Sequence, residues 1–326
     1  MKQEIRIDLG MTEQQAALME MHALINVLNI ITAEMDYLQT LLHDPNIFKH
    51  ELGLLTTCGN ALHDVLRRDA LLRRIARLLQ ETEERLPRLA IRKRMAEDQA
   101  EVQACIESMM TSIESALSRV QEWQKRQQEP IWYPVRPGMI EQHIVSFLSA
   151  VEKHSKGRYG IVYSPAQQGP TDYCVSLDVL AGADGEIAFP ALMLDTLRDL
   201  VANARKYSDP GTHIRMAVIE TVEGLRITVR DEGIGIPPDE LQKVFTFGGR
   251  ASNVGDRRTY AGGFGLTKAY SAICRLGGRI WIDSELGKGT LIEAHIPLPQ
   301  WRVEVLLERF PDGPPATPPH VAALVR

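Results

Sequence analysis

Three polar residues in the second half of the chain, Asp199, Asn203 and Lys206, stand at i, i+4 and i+7 in one polar-apolar run that ends at Tyr207 and Ser208. On a helix that spacing puts an acid, an amide and a cation on one stripe. Such a stripe suits a hydrated Mg²⁺ and the phosphates around it, although a solvated helix face would carry the same residues. Downstream, Asp231 follows the β-rich run Leu225 to Arg230 and is trailed by Gly233 and Gly235. Two glycines let the backbone approach a flat ligand, and the carboxylate can accept a hydrogen bond from an exocyclic amine such as that of adenine. An ordinary turn after a strand would look alike. Then Gly262, Gly263, Phe264, Gly265 and Leu266 open a helix expected over Phe264 to Leu276, where unobstructed N–H groups bind phosphate. The run lacks the GxxxxGK[ST] of a P-loop and the later acid of a dinucleotide fold.

Taken in order and with their spacing, these segments resemble the N, G1 and G2 boxes of the GHKL ATPase superfamily in its histidine-kinase branch. Val244, Phe245 and Phe247 between them resemble the F box, and Gly287, Gly289 and Thr290 resemble the final Gly-rich turn. The resemblance runs from about Ile131 to Leu298. It implies that Asn203 ligands Mg²⁺, that Asp231 binds adenine, and that Lys206 and Tyr207 line the nucleotide, with Gly233, Gly235, Phe247, Leu266 and Thr290 completing the ATP site. Gly263 and Gly265 become the hinge of a flexible lid over roughly Gly248 to Tyr260. Arg250, Arg257 and Arg258 in that lid could neutralise γ-phosphate charge, and solvated loop charges would look the same. Two departures stand out: Ala261 replaces the usual first glycine of the G2 box, and Ser164 to Asp184 is long for the family.

A histidine kinase needs an acceptor on a helical bundle, because imidazole is nucleophilic near neutral pH and its phosphoramidate can pass the group onward. His22, Leu24, Asn26 and Leu28 resemble the H box, with Asn26 at the position that assists phosphatase activity. The acid usual after the histidine is Ala23, and Val27 replaces a common proline. His63 with Asp64 is the rival, having the adjacent acid but not the rest of the motif. Asp199 joins His22 and Asn26 as a catalytic candidate.

The elements that must position these residues divide the chain. Up to Glu129 glycine and proline are scarce, and apolar residues recur every three or four positions from Leu18 through Met21, Ile25, Leu28, Ile31, Met35 and Leu38 to Leu42. That is a helix with one narrow seam. A second helical stretch is expected over Ile47 to Glu84, punctuated by Pro87, and a third over Leu89 to Gln128. A seam cannot bury itself, so a homodimeric bundle is expected. From Pro130 helices alternate with strands, including a helix over Ala191 to Tyr207 and strands over His213 to Glu220 and Leu225 to Asp231. The expected class is multidomain: a helical dimerisation and phosphotransfer bundle over 1–130, an ATP-binding α/β sandwich over 131–300, and a tail over 301–326, Pro-rich and disordered from Pro311.

The chain has 326 residues with 37 Lys and Arg against 42 Asp and Glu, a net charge of −5 that gives no nucleic-acid footprint. Cys58, Cys105, Cys174 and Cys274 lie far apart and read as reduced thiols. Neither a signal peptide nor a membrane span is expected, which points to a cytoplasmic protein with any sensor on a separate chain. The enzyme reading is an ATP-dependent protein-histidine kinase, with possible phosphatase activity, exchanging phosphoryl groups with a response-regulator receiver domain. The alternative is a degenerate kinase serving as an ATP-binding scaffold or phosphotransfer adaptor.

Overall fold

The computed structural model describes residues 2–62, 64, 67–92, 99–126, 132–155, 157–182, 184–255 and 263–309. The chain forms two compact units, one of Gly10–Glu129 and one of Met1–Leu9 with Pro130–Arg326. No helix among the described residues is long and apolar enough to cross a membrane.

The first unit is helical. Helix α1 (Glu13–Leu41) starts at Thr12, whose hydroxyl accepts from Gln15 N while the Gln15 side chain accepts from Thr12 N, a reciprocal cap that fixes the helix start. Its apolar residues Met21, Leu24, Leu28, Ile31, Met35 and Leu38 are all buried. Helices α2 (Lys49–Ala61), α3 (Arg68–Arg92) and α4 (Gln99–Arg126) follow. Two expectations need correcting. The stretch Ile47 to Glu84 is two helices, not one: α2 ends just past Gly59, and the buried Arg68 reaches back to donate from Nε to Leu62 O at 3.2 Å. Pro87 lies inside α3 rather than ending it. Leu86 and Leu89 on either side are buried in the core, and tertiary packing of that kind overrides a local breaker.

Residues from all four helices share one apolar core, among them Ile31, Leu55, Leu79 and Met109. Helix α4 packs along both α1 and α3, and α2 contacts α1 and α3. The seam of α1, for which a second copy was expected, is therefore covered within the chain.

The second unit is built on a sheet ordered β1-β8-β9-β7-β6-β4-β3. Its strands are β1 (Gln3–Glu4), β3 (Ile161–Val162), β4 (Tyr173–Leu180), β6 (His213–Thr221), β7 (Gly224–Asp231), β8 (Arg279–Glu285) and β9 (Gly289–Ile296). Strands β3, β4 and β6 are parallel, and the other neighbours are antiparallel. A separate pair joins β2 (Trp132–Val135) to β5 (Ile187–Pro190). Alternate strand residues such as Ile214, Met216 and Val218 share a core with helices α5 (Pro137–His154), α6 (Ala191–Tyr207) and α7 (Gly265–Arg275), as the period of two in a strand requires. The fold is helices on a mixed sheet, with α6 beginning and ending where the sequence put it.

Two elements were not foreseen. Residues 1–9, expected with the bundle, belong to this second unit. Ile5, Ile7 and Leu9 alternate as in a strand. Ile5 is buried and its N–H donates to Ile280 O at 2.9 Å. Gln242 grips the neighbouring backbone at Glu4 O and Arg6 N, while Tyr270 Oη of α7 donates to Ile7 O at 2.9 Å and accepts from Ile7 N at 3.2 Å. The second is α8 (Gln300–Arg309), in what was expected to be tail. Its Arg302 is 1% exposed and bonds Asp184, Glu220 and Glu186 O. That guanidinium holds the Asp184 carboxyl down at about 2. Residues 311–326 lie outside the described residues.

Removing the Tyr270 hydroxyl deletes both bonds to Ile7, each worth about 1 kcal/mol net. In Tyr270→Phe, hydrogen exchange at the Ile7 amide is expected to accelerate roughly tenfold or more, with amides of α4 unchanged; equal rates in both proteins would show that the strand is held by its apolar side chains alone.

Candidate nucleotide site

The site forms where the last turn of α6 meets the C-terminal end of β7. Tyr207 O accepts from Ile234 N at 3.0 Å, tying the helix end to the loop after β7. That loop passes so close that a Cβ on Gly233 would come within 2.4 Å of Tyr207 O, and one on Gly235 within 2.1 Å of Glu285 O. Gly235 also has φ +66°, so a side chain there is excluded by both space and conformation.

Asp231 closes β7 opposite Thr290 of β9. Its Oδ1 accepts from Gly233 N at 2.9 Å and Thr290 N at 3.2 Å. Its Oδ2 has no partner among the described residues. Burial pushes the carboxyl up to about 6 despite the two backbone donors, which pull the other way. A recessed carboxylate with one oxygen fixed and the other available is suited to a neutral N–H donor such as the amine of a purine.

The sequence reading missed Ser284. It is buried, and its Oγ accepts from Ile236 N at 2.9 Å and lies 2.8 Å from Thr290 Oγ1. It locks the Asp231 loop to the β8–β9 hairpin. A serine in a strand gives no local signal, and its value appears only through the β8–β9 register, which sets Ser284 against Thr290.

The opposite end of the site is cationic. Lys206 lies 4.9 Å above the Tyr207 ring. Burial first, then Arg250 and Arg205, lower its pKa to about 8. Burial also raises the Tyr207 phenol, against Arg250. Asn203, one turn before, has its amide against the start of α7: a Cβ on Gly265 would meet Asn203 Nδ2 at 2.9 Å. The N-cap of α7, Phe264, makes no side-chain cap bond, so the first-turn N–H groups remain suited to an anion. Asp199 lies 3.9 Å from Lys268 of α7. The Phe247 ring packs tilted against Phe264 with centroids 4.7 Å apart, and Thr267 Oγ1 donates to Thr246 O at 2.8 Å, fastening the F-box turn to the same helix. Leu266 packs on the core.

The expected lid over Gly248 to Tyr260 is described as far as Gly255, and that part is anchored. Ser252 N and Oγ both donate to Glu240 Oε2, and Asn253 Nδ2 donates to Gly235 O at 2.8 Å. Glu240 is in turn held down at about 2, chiefly by Lys243. Arg250 thus stands on a fixed segment, its Nε 3.3 Å from the Cβ position of Gly263. Arg257, Arg258, Ala261 and Gly262 lie outside the described residues.

Asp199, Asn203, Lys206, Tyr207, Asp231, Gly233, Gly235, Phe247, Gly263, Gly265, Leu266 and Thr290 all belong to this one unit. His22 and Asn26 lie one turn apart on α1 in the helical unit, both half-buried. His63 lies outside the described residues. Among the described residues no three His, Cys, Asp or Glu side chains cluster as a metal cage. Mg²⁺ fits here nonetheless, since it keeps several waters and takes few protein ligands beside phosphate, and the Asn203 amide offers one oxygen beside the anion-binding helix start.

Residues 190–300 match the family described as Histidine kinase-, DNA gyrase B-, and HSP90-like ATPase. The chain is 41% identical over 103 residues to the sensor histidine kinase WalK of Bacillus subtilis (strain 168), covering 31% of this chain and 17% of that protein. It is 35% identical over 127 residues to the adaptive-response sensory kinase SasA of Parasynechococcus marenigrum (strain WH8102), covering 36% and 32%. The chain thus spans less than a third of these relatives' own length. A structure of the mycobacterial sensor histidine kinase MprB aligns with 51% of this chain and 97% of its own, at 19% identity and a TM-score of 0.37. The match to that ATPase family lies wholly within the second unit.

The depressed Lys206 gives a test of phosphate contact. An ammonium whose pKa lies near 8 is partly neutral at slightly alkaline pH, and a bound polyphosphate raises that pKa, so binding takes up protons. Calorimetry of ATP binding above pH 8 in buffers of different ionisation enthalpy should show proton uptake in the native protein and much less in Lys206→Met. Equal uptake in the two would remove Lys206 from the phosphate end.

Proposed function

We propose that this protein is an ATP-dependent protein-histidine kinase that phosphorylates His22 and exchanges the group with an aspartate of a response-regulator receiver domain. The observation that carries the reading is the polarity of the site: a recessed acceptor, Asp231 Oδ2, at one end, and Lys206, Arg250 and the start of α7 at the other. That matches a purine joined to a polyphosphate.

In this reading Asp231 accepts the adenine amine, Tyr207 flanks the nucleotide, and Lys206 with Arg250 offsets phosphate charge. The Asn203 oxygen helps hold Mg²⁺, which when bound neutralises charge between the phosphates. Asp199, one turn earlier and facing Lys268, is the carboxylate placed to take up a proton. His22 supplies the nucleophilic nitrogen. Asn26, one turn on, is where an amide would orient water for phosphatase action. We place the protein in the cytoplasm. A second reading, an ATP-binding scaffold or phosphotransfer adaptor, draws on Ala23: without an adjacent acid the imidazole loses orienting help worth on the order of 10² to 10⁴ in rate.

Incubation with γ-labelled ATP separates them. The kinase reading expects slow incorporation of acid-labile, base-stable label, lost in His22→Gln, retained in His63→Gln and accelerated in Ala23→Glu. Label that follows His63 instead would move the acceptor. Intact ATP binding with no label alone or with receiver domains leaves the scaffold.

The nucleotide half is tested by itself. Asn203→Ala should lose Mg-dependent ATP affinity. Native affinity should weaken as pH falls through about 6, where Asp231 gains its proton, and Asp231→Asn should bind more weakly with that pH dependence gone. Unchanged affinity in both variants rejects the site.

A further inference from the structure

Residues 2–9 form a strap along one edge of the second unit. Gln3 and Glu4 pair with Ile282 and Trp281 of β8, and Ile5 N–H donates to Ile280 O. Backbone groups that β8 does not take are met by two side chains. Gln242 Nε2 donates to Glu4 O at 3.0 Å while its Oε1 accepts from Arg6 N at 3.3 Å. Tyr270 Oη likewise donates to Ile7 O and accepts from Ile7 N. An amide and a phenol, each serving one donor and one acceptor, hold the strap much as a neighbouring strand would.

What holds the strap also builds the candidate nucleotide site. β8 carries Ser284, which locks the loop after Asp231 to the β8–β9 hairpin. Gln242 directly precedes Lys243, the partner of Glu240, and Glu240 anchors Ser252 beside Arg250. Tyr270 lies one turn beyond Leu266 on α7, the helix whose start faces Asn203. Its ring meets Phe245 of the F-box turn at 6.3 Å, and Thr267 of the same helix bonds Thr246. The strap thus spans the hairpin at the Asp231 end, the F-box turn and the helix at the cationic end. A nucleotide running from Asp231 to the start of α7 would fix the same three elements relative to one another. Whichever of the two binds first bears an ordering cost that the second then avoids.

We propose that residues 2–7 are a clasp that regulates the nucleotide site: docking of the strap and binding of Mg-ATP favour each other, with Gln242 and Tyr270 as the positioning residues. The part played by ATP rests on the proposed nucleotide reading; the hold of the strap on the F-box turn and α7 does not. A strap lifted from β8 lowers nucleotide affinity, and a bound nucleotide keeps the strap docked, because coupling between two binding events is reciprocal.

The test uses the full chain with Mg-ATP as the probe. Hydrogen exchange at the Ile5 and Ile7 amides should slow about fivefold or more at saturating Mg-ATP, while amides of β4, four strands away from β1 and β8 in the sheet order, keep their rates. Ile5→Asp places a carboxylate at a buried position and so releases the strap. Calorimetry of that variant should show Mg-ATP affinity weakened by a similar factor, with the β4 amides as slow as in the native protein. Strap amides that ignore the nucleotide, or native affinity in a variant whose strap exchanges freely, would each overturn the proposal. If Ile5→Asp does not fold, the native protein with and without Mg-ATP decides by itself. If the native protein binds no Mg-ATP, the nucleotide reading has failed, and the clasp is judged without ligand in Tyr270→Phe. There the Thr246 and Ser252 amides should exchange faster than in the native protein, and equal rates would overturn the clasp as well.

Discussion

The end of β7 sets the terms for the candidate nucleotide site. Asp231 must be recessed enough to reject water yet keep one oxygen open. The structure achieves this by spending Oδ1 on two backbone donors from different elements, Gly233 N and Thr290 N. This geometry requires the loop after β7 to crowd Tyr207 O on one side and Glu285 O on the other, at separations only glycine tolerates. It also requires the β8–β9 hairpin to be pinned, which Ser284 does. The helix end, the hairpin and the loop are therefore one unit mechanically, and the orientation of α6 carries Asn203 and Lys206 to the other end.

Two aspartates show how environment divides labour. Asp184 faces a guanidinium, is held down to about 2, and fastens α8. Among the described residues Asp231 faces no cation, and it is pushed up to about 6 by burial. The first is a structural anion; the second is a weakly solvated acceptor whose hydrogen bond gains strength from the dry surroundings. At the phosphate end the logic is reversed. Burial first, then Arg250 and Arg205, depress Lys206, and an anion bound beside it would favour its charged form. The anchoring of Ser252 and Asn253 keeps Arg250 in that cluster rather than letting it swing away.

The candidate nucleotide site was legible in the sequence because the features that mark it are local. Asp199, Asn203 and Lys206 declare themselves by helical spacing, and Asp231 with its glycines by position after a β-rich run. What escaped depends on contacts distant in sequence. Ile5, Ile7 and Leu9 carry a strand's alternation, but nothing nearby says that the strand adds to β8 some 270 residues later. Arg302 reads as one more surface cation until Asp184 and Glu220 surround it. Pro87 reads as a stop because local propensity cannot see the burial of Leu86 and Leu89.

The same limit bears on the reason for which a second copy was expected. Periodicity shows that α1 has an apolar face; it does not show what lies against it. A seam of this kind states a need for cover, and a partner helix from the same chain meets it as well as one from another. Burying a Leu, Ile or Met side chain is worth about 1.5–3 kcal/mol, so the six buried seam residues of α1 contribute on the order of 10 kcal/mol, comparable with the net stability of a whole domain. An α1 left open to await another molecule would forfeit a sum of that size. Exchange of helices between copies could restore it only by forming the same contacts again, while adding the entropic cost of association. The cover that α2, α3 and α4 supply within the chain is in place whether or not copies also associate through other surfaces.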